Sequence, residues 1–202
     1  MRAVVLNCTL KASPEPSSTE ALARVLIAEL ESNGVACDMV RLADYDIPPG
    51  VVSEAIRPGD EWPALRERVL AAEILVVATP TWFGQPSSVA KRALERMDAF
   101  LSEAREDGRP IAYDRVAGFV VTGNEDGAHH VIAELAQIVI DLGYTVPGNA
   151  WTYWNKGPGP GDEVYLTTDE REWTDRTGRT AARNLLAVAR ALAAHPLPAP
   201  SD

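Results

Sequence analysis

The chain has 202 residues, 46% of them hydrophobic and 24% charged, which fits one globular α/β domain with a continuous core. Its net charge of −10 argues against a nucleic-acid partner, because phosphate binding needs a basic surface and here 29 acidic residues outnumber 19 basic ones. Neither Cys8 nor Cys37 has a spacing typical of a metal site or disulfide framework, and no apolar run suits a signal or membrane segment, so we expect a cytoplasmic protein without metal.

The first half of the chain is predicted to form three strands separated by helices. An unbroken apolar run at residues 3–8 is typical of a strand buried on both faces of a parallel sheet. A polar loop follows, and then a helix with apolar residues at helical spacing, which ends at Asn33-Gly34. The second strand is expected at 35–42 and the third at 73–80, where the final proline is expected to stop it. Between these two strands, Asp60 can cap a short helix.

The second half of the chain continues the alternation of helix and strand. Pro86 is predicted to occupy the first position of a helix, and the fourth strand is expected at 116–121. An amphipathic helix follows and ends at Gly143. A fifth strand is expected near 144–154, and the last helix at 179–194.

This order of elements predicts a doubly wound α/β fold, in which a five-stranded parallel sheet carries helices on both faces. We expect one domain over residues 1–195 and a flexible tail over residues 196–202. Such a sheet binds its ligand beyond the carboxyl ends of the strands, where the strand order reverses. The loops after the first, third and fourth strands are therefore expected to carry the chemistry.

The first of these loops has the composition of a phosphate site. It ends in Ser17, Ser18 and Thr19, which place hydroxyls and free N–H groups at the start of a helix, where the helix dipole also favours an anion. The glycine-rich signatures of dinucleotide and nucleoside-triphosphate loops are missing, so a single terminal phosphate is the expected ligand. The alternative is an ordinary helix cap, since serine and threonine are favoured there in any case.

The other two loops have features that suit a flat heteroaromatic ligand. In the second, Trp82 and Phe83 stand beside a glycine, and they can supply a π-surface and backbone amides unless both rings turn into the core. In the third, residues 123–127 begin and end with glycine and allow close approach of the backbone. The alternative for the third loop is a plain turn with Asp126 as the helix cap.

Together, the three loops resemble the flavodoxin-like NAD(P)H-dependent FMN reductase family, over residues 1 to about 145 and most specifically in Pro80-Thr-Trp-Phe-Gly-Gln-Pro86. The resemblance implies a flavodoxin-like fold and bound FMN. It implies that the FMN phosphate is bound by Thr9, Lys11, Ser17, Ser18 and Thr19. It implies that the ribityl chain and ring contact Pro80, Thr81, Trp82, Phe83, Gly84 and Gln85, and that the ring is bordered by Thr122, Gly123, Asn124, Glu125, Asp126 and Gly127. The third loop also resembles iron–sulfur members of the superfamily, but their clustered cysteines are missing here.

The resemblance further implies an oxidoreductase that takes electrons from NADH or NADPH and passes them through FMN to a quinone-like or other small acceptor. No catalytic side chain is required, because the cofactor carries the chemistry. His129 and His130 can donate protons, or can simply be exposed or capping residues. A homodimer or homotetramer without a nucleic-acid or membrane partner is expected. The alternatives are a flavodoxin-type electron carrier without its own substrate site, and a flavin-free binding module.

A further aromatic segment follows the fifth strand. Trp151, Tyr153 and Trp154 precede the Gly/Pro run at 157–161, and we expect at least one of their rings to face the flavin loops and shape the acceptor pocket. In the alternative, Trp151 and Tyr153 alternate into the core and Trp154 lies on the surface or at a dimer contact.

Overall fold

A computed structural model describes residues 1–200, which form a parallel sheet between two layers of helices. The strands are β1 (Arg2–Asn7), β2 (Ala36–Arg41), β3 (Ile74–Trp82), β4 (Gln85–Pro86), β5 (Val116–Gly123) and β6 (Trp151–Asn155). The helices are α1 (Ser18–Ser32), α2 (Trp62–Leu70), α3 (Ser88–Met97), α4 (Ala128–Asp141) and α5 (Glu172–Ala194). Short 3-10 helices cover Leu42–Asp44 and Asp98–Ser102.

The five long strands are parallel and lie in the order β2-β1-β3-β5-β6, while the two-residue β4 pairs antiparallel with the end of β3. Counted without β4, this is the 2-1-3-4-5 order of the flavodoxin-like fold, so the predicted fold class is confirmed. Helices α1 and α5 cover one face of the sheet, and α2, α3 and α4 cover the other. The strand order reverses between β1 and β3, which places the ligand crevice at their carboxyl ends.

Strand β3 does not stop at Pro80, as the sequence predicted, but runs on to Trp82. Strand β1 pairs with β3 only as far as Ala78, so beyond that residue one side of β3 is an edge. A proline on that edge removes no ladder hydrogen bond, which is why the strand can continue through it. The last two residues of β3 then pair with Gln85 and Pro86.

The start of α3 also differs from the prediction, because Pro86 belongs to β4 and the helix begins at Ser88. Ser87 caps this helix, and its hydroxyl accepts a hydrogen bond from the N–H of Ala90 at 3.2 Å. Between β3 and β4, Phe83 and Gly84 have φ values of +53° and +71°. Two successive positive φ angles define the type I′ turn that suits a two-residue hairpin.

The last two elements have different limits from those predicted. Strand β6 covers only Trp151–Asn155, and Thr145 forms no more than an isolated bridge with Val116. Helix α5 begins at Glu172, seven residues before the predicted start at 179. Its first turns have no apolar periodicity. They are held instead by polar contacts, because the Thr152 hydroxyl donates to the Thr174 carbonyl at 2.7 Å and the Thr174 hydroxyl donates to the Tyr153 carbonyl at 3.0 Å.

Three smaller expectations concern a helix cap, the thiols and the tail. Asp60 accepts the N–H of Trp62 at 2.9 Å, but Glu61 is the N-cap residue of α2, so Asp60 lies one position before the cap that was predicted for it. Cys8 and Cys37 are free thiols, and burial raises the pKa of Cys8. In the predicted tail the N–H of Leu197 donates to Asp114 at 2.8 Å, and residues 201 and 202 lie outside the described part of the chain. None of the helices found in residues 1–200 combines the length and the apolar character needed to cross a membrane.

Candidate active site

A cavity of about 180 Å³ opens at the carboxyl ends of β1, β3 and β5, at the point where the strand order reverses. Its walls come from all three predicted loops and from two segments later in the chain. It is lined by Thr9, Leu10, Lys11, Ser17, Ser18, Thr19, Pro80, Thr81, Trp82, Thr122, Gly123, Asn124, Trp154, Val164 and Tyr165. The position agrees with the expectation for a doubly wound sheet.

The first loop brings hydroxyls and backbone donors to one end of the cavity. Ser17 is the N-cap of α1, where its hydroxyl accepts the N–H of Glu20 at 3.2 Å. Ser18 and Thr19 occupy the first turn, where backbone N–H groups have no acceptor within the helix. Ser17 is therefore an ordinary helix cap, as the alternative had it. The backbone N–H groups of the next two residues remain free to bind an anion.

Hydrogen bonds between the loops form the floor beneath this cavity. The hydroxyls of Thr19 and Thr122 lie 2.7 Å apart and join the first loop to the third. The Ser87 hydroxyl donates to the Cys8 carbonyl at 2.7 Å, and the Ser87 N–H donates to the Thr79 hydroxyl at 3.0 Å. Because all five residues are buried and these groups are paired, the three loops are fixed relative to one another.

The second loop contributes its first three residues to the wall and turns the others away. Pro80, Thr81 and Trp82 line the cavity, and Trp82 stays 48% exposed at its mouth. The Thr81 hydroxyl is buried and has no hydrogen-bond partner among residues 1–200, which marks a polar atom that a ligand can satisfy. Phe83 is 94% exposed at the tip of the turn and Gly84 lies beside it, so neither residue belongs to the wall.

Close approach of the third loop to its surroundings crowds any side chain at two glycine positions. A Cβ on Gly123 would lie 3.1 Å from the Glu125 carbonyl oxygen and from the Thr81 Cβ. A Cβ on Gly127 would lie 2.8 Å from the Gly84 Cα. Thr122, Gly123 and Asn124 line the cavity, whereas Glu125, Asp126 and Gly127, which were also predicted to border the ring, are not part of its lining.

The polar residues at the outer end of the second and third loops contact each other rather than the cavity. Gln85 and His130 lie 2.9 Å apart, between the Gln85 amide nitrogen and the His130 Nε2. The alternative role of Asp126 as a helix cap is not seen, because Gly127 is the N-cap residue of α4 and no side chain caps this helix.

Three lining residues were not assigned from the sequence: Leu10 in the first loop, and Val164 and Tyr165 in the segment between β6 and α5. Burial, and then the hydrogen bond that the hydroxyl donates to Asp175 at 2.6 Å, raise the pKa of Tyr165. The Arg171 guanidinium lies 4.9 Å from the centre of its ring. No sequence motif predicts this part of the wall, because it forms only when the chain folds back over the cavity after β6.

The aromatic residues of β6 divide between its two faces. Trp154 is buried and lines the cavity, with its ring centroid 6.4 Å from that of Tyr165. Trp151 and Tyr153 point to the opposite face, where His129 lies edge-on to both rings at 5.5 and 5.0 Å. One ring therefore faces the site as expected, and the alternative that placed Trp154 on the surface is wrong. His129 packs with Trp151 and Tyr153 on that opposite face and is not part of the cavity wall.

The lining supports binding more directly than it supports side-chain catalysis. Lys11 and Tyr165 are its ionisable residues; the Lys11 ammonium donates to the Pro16 carbonyl at 3.2 Å, and the Tyr165 hydroxyl is bonded to Asp175. The remaining polar groups of the lining are hydroxyls, an amide and backbone groups. These residues fit FMN, because one end offers donors for a phosphate and the other offers a glycine-lined wall with an unpaired hydroxyl.

Comparison with known proteins gives two relatives of similar sequence. The chain is 40% identical over 201 residues to the "Divalent metal cation transporter MntH" of Mycobacterium bovis, a match that covers 96% of this chain and 29% of that protein. It is 37% identical over 172 residues to the "8-demethyl-8-aminoriboflavin-5'-phosphate synthase" of Streptomyces davaonensis, covering 80% of this chain and 66% of that enzyme. The chain therefore spans less than two thirds of either relative.

A solved structure resembles the whole fold. The crystal structure of RosB with bound 8-demethyl-8-formylriboflavin-5'-phosphate superposes with a TM-score of 0.87 at 32% identity, covering 98% of this chain and 82% of that one. The family model described as "NADPH-dependent FMN reductase" matches residues 1–159, which include all three loops and β6. The chain thus belongs to the NADPH-dependent FMN reductase family.

Proposed function

We propose that this protein binds FMN in the cavity and uses it to pass electrons from NADH or NADPH to a quinone-like or other small acceptor. The observation that carries the proposal is the pairing of two features in one cavity. Donors at the start of α1 suit a terminal phosphate, and the unpartnered Thr81 hydroxyl beside Gly123 suits a polar ligand that needs close backbone approach.

Each wall of the cavity has a separate task in this proposal. Ser17 and Ser18 hold the phosphate through their hydroxyls, together with the free backbone N–H groups of Ser18 and Thr19, while the Thr19 hydroxyl stays paired with Thr122. Thr81 and Asn124 offer side-chain hydrogen bonds to the polar part of the ligand further along the cavity. Bound FMN supplies the capacity to accept and donate two electrons, so the protein needs to position the cofactor and exclude water rather than to provide a nucleophile.

The mouth of the cavity supports a site for a second small molecule. Leu10 is 50% exposed on one side of the cavity, and Trp82 is half-exposed on another. An apolar rim beside a partly open cavity suits the nicotinamide ring and then a planar acceptor, which would use the same opening in turn. A pure electron carrier needs only an exposed edge of the flavin, so an apolar rim that suits a second planar molecule supports the enzyme over the carrier.

The flavin content and its reduction test the proposal. Purified protein is expected to be yellow or to become so with FMN, and extraction should return FMN rather than FAD. Anaerobic NADH or NADPH should bleach the flavin, and a panel of quinones and ferric complexes should restore its colour; the ferric complexes are included because one relative is named as a metal cation transporter. Flavin that neither nicotinamide bleaches would indicate a carrier, and protein that ignores FMN would indicate a flavin-free module.

A second candidate function is that the flavin phosphate is a substrate rather than a resident cofactor. The similarity to a riboflavin-phosphate synthase and to a structure that holds a modified flavin phosphate favours it. Mass spectrometry of the flavin recovered after turnover separates the two candidates. A cofactor returns with the mass of FMN, whereas a substrate returns with a changed ring substituent.

We also propose that the protein acts in the cytoplasm as a homodimer or homotetramer. The exposed ring of Phe83, in the second of the loops that border the cavity, supports a contact between subunits near the flavin site. The two free thiols suit a reducing compartment.

A further inference from the structure

The first loop is held in place by a side chain from outside it, Arg41 at the end of β2. One nitrogen of its guanidinium donates to the carbonyls of Glu15 at 2.8 Å and Ala12 at 3.1 Å, and lies 3.4 Å from that of Lys11. The other terminal nitrogen pairs with the Glu20 carboxylate. Only 11% of the Arg41 side chain is exposed, so the guanidinium is held between the loop and α1.

The loop cannot take this shape through its own backbone alone. Pro14 and Pro16 carry no N–H group, and its internal backbone hydrogen bond runs from the Glu15 N–H to the Ala12 carbonyl at 3.0 Å. Its other fixed point is Ser13, whose N–H and hydroxyl donate to Asp44 at 2.7 and 2.6 Å. Arg41 binds several carbonyls of the loop on the side away from the cavity. The N–H groups and hydroxyls of the loop are therefore left to face a ligand.

Glu20 gives Arg41 a second task, because this carboxylate lies in the first turn of α1, next to the predicted phosphate position. The hydrogen bond from Arg41 lowers the pKa of Glu20, so the carboxylate is charged at neutral pH. An unpaired carboxylate beside a phosphate would repel it. Arg41 compensates this charge from the buried side, and Arg24 contacts the same carboxylate at 2.6 Å from the exposed side.

We propose that Arg41 is a positioning residue that shapes the first loop for the flavin phosphate and so sets the preference for FMN over riboflavin. The inference rests on the proposed function, since it assumes that the cavity binds FMN. The planar guanidinium fork matters as well as the charge, because one ammonium group cannot reach several carbonyls and a carboxylate in the same geometry. The ring end of the site lies away from Arg41, so riboflavin binding should not depend on it.

The test measures dissociation constants of FMN and of riboflavin, by quenching of flavin fluorescence, for four proteins. These are the wild type, Arg41→Ala, Arg41→Lys and the matched control Arg24→Ala, which removes a contact to Glu20 but none to the loop. Arg41→Ala should weaken FMN binding by about tenfold or more, since hydrogen bonds to charged groups and the pairing of Glu20 are lost together. Riboflavin affinity should change by less than about threefold, which also shows that the site is folded.

The other two variants separate position from charge. Arg41→Lys keeps a positive charge beside Glu20 but cannot reach the loop carbonyls, so it should recover only part of the FMN affinity that Arg41→Ala loses. Arg24→Ala should keep the wild-type ratio of FMN to riboflavin affinity. The inference is overturned if Arg41→Ala weakens both flavins equally, or if lysine restores FMN binding in full. A wild type that binds neither flavin would instead refute the proposed function, so the two failures are distinguishable.

Discussion

The contact between the second and third loops can be tested by replacing Gly127 with alanine. Gly127 has a φ of +106°, and a Cβ there would lie 2.8 Å from the Gly84 Cα. The left-handed backbone costs a residue with a side chain about 1–2 kcal/mol, and relief of the contact with a neighbouring backbone costs about 1–3 kcal/mol more. We therefore expect Gly127→Ala to lower the free energy of unfolding by about 2–5 kcal/mol.

A matched control separates the two costs. Gly108 has a similar φ of +79°, but a Cβ there would meet no atom within 4 Å. Gly108→Ala should therefore lose only the backbone contribution of about 1–2 kcal/mol, measured for both variants by urea unfolding followed with circular dichroism. Gly127→Ala should also displace the Phe83–Gly84 turn and weaken FMN binding several-fold, while Gly108→Ala should not. Equal unfolding free energies and unchanged FMN affinity in the two variants would refute the close approach of the loops.

Three further predictions concern the cavity wall, the acidic residue of α1 and the assembly. Trp154→Ala should weaken FMN binding about threefold to tenfold in a fluorescence titration, whereas Trp151→Ala, on the opposite face of β6, should leave it unchanged; equal effects would contradict the division of the faces. Glu20 has a pKa below its ordinary value of 4.5, so its contribution to stability is present above that pH and is lost as the pH falls through the lowered pKa. The stability difference between the wild type and Glu20→Gln, from thermal melts, should therefore shrink in acid, and a difference independent of pH would refute the pairing. Light scattering at micromolar concentration should show more than one chain per particle, and a monomer would count against the proposed assembly.

Most of the sheet could be predicted from the sequence, because its strands are apolar runs buried on both faces. Residues 74–79 of β3 are all buried, and an unbroken apolar run of this kind is typical of a strand that is covered on both faces of a parallel sheet. The loops after β1, β3 and β5 were placed at the site because the carboxyl ends of parallel strands share one edge. The resemblance to the family then named every lining residue of these three loops except Leu10.

The features that sequence reasoning missed depend on contacts between distant segments. Val164 and Tyr165 reach the cavity only because the chain folds back after β6, and Tyr165 is held there by Asp175 in the first turn of α5. The continuation of β3 through Pro80 depends on where β1 stops pairing, which local propensity cannot reveal. Phe83 was assigned to the site as an aromatic residue of the loop that resembles the family's, but the type I′ turn directs it outward.

The central claim is that FMN occupies the cavity at the carboxyl ends of β1, β3 and β5, and the electron density of crystals soaked with FMN tests it most directly. The account predicts a phosphate beside Ser17, Ser18 and Thr19, and the rest of the flavin along Thr81 and Gly123. A new hydrogen bond to the Thr81 hydroxyl is also expected, since that group has no partner within residues 1–200. Flavin density elsewhere on the molecule, or an empty cavity in crystals whose dissolved protein is saturated with FMN, would contradict the account.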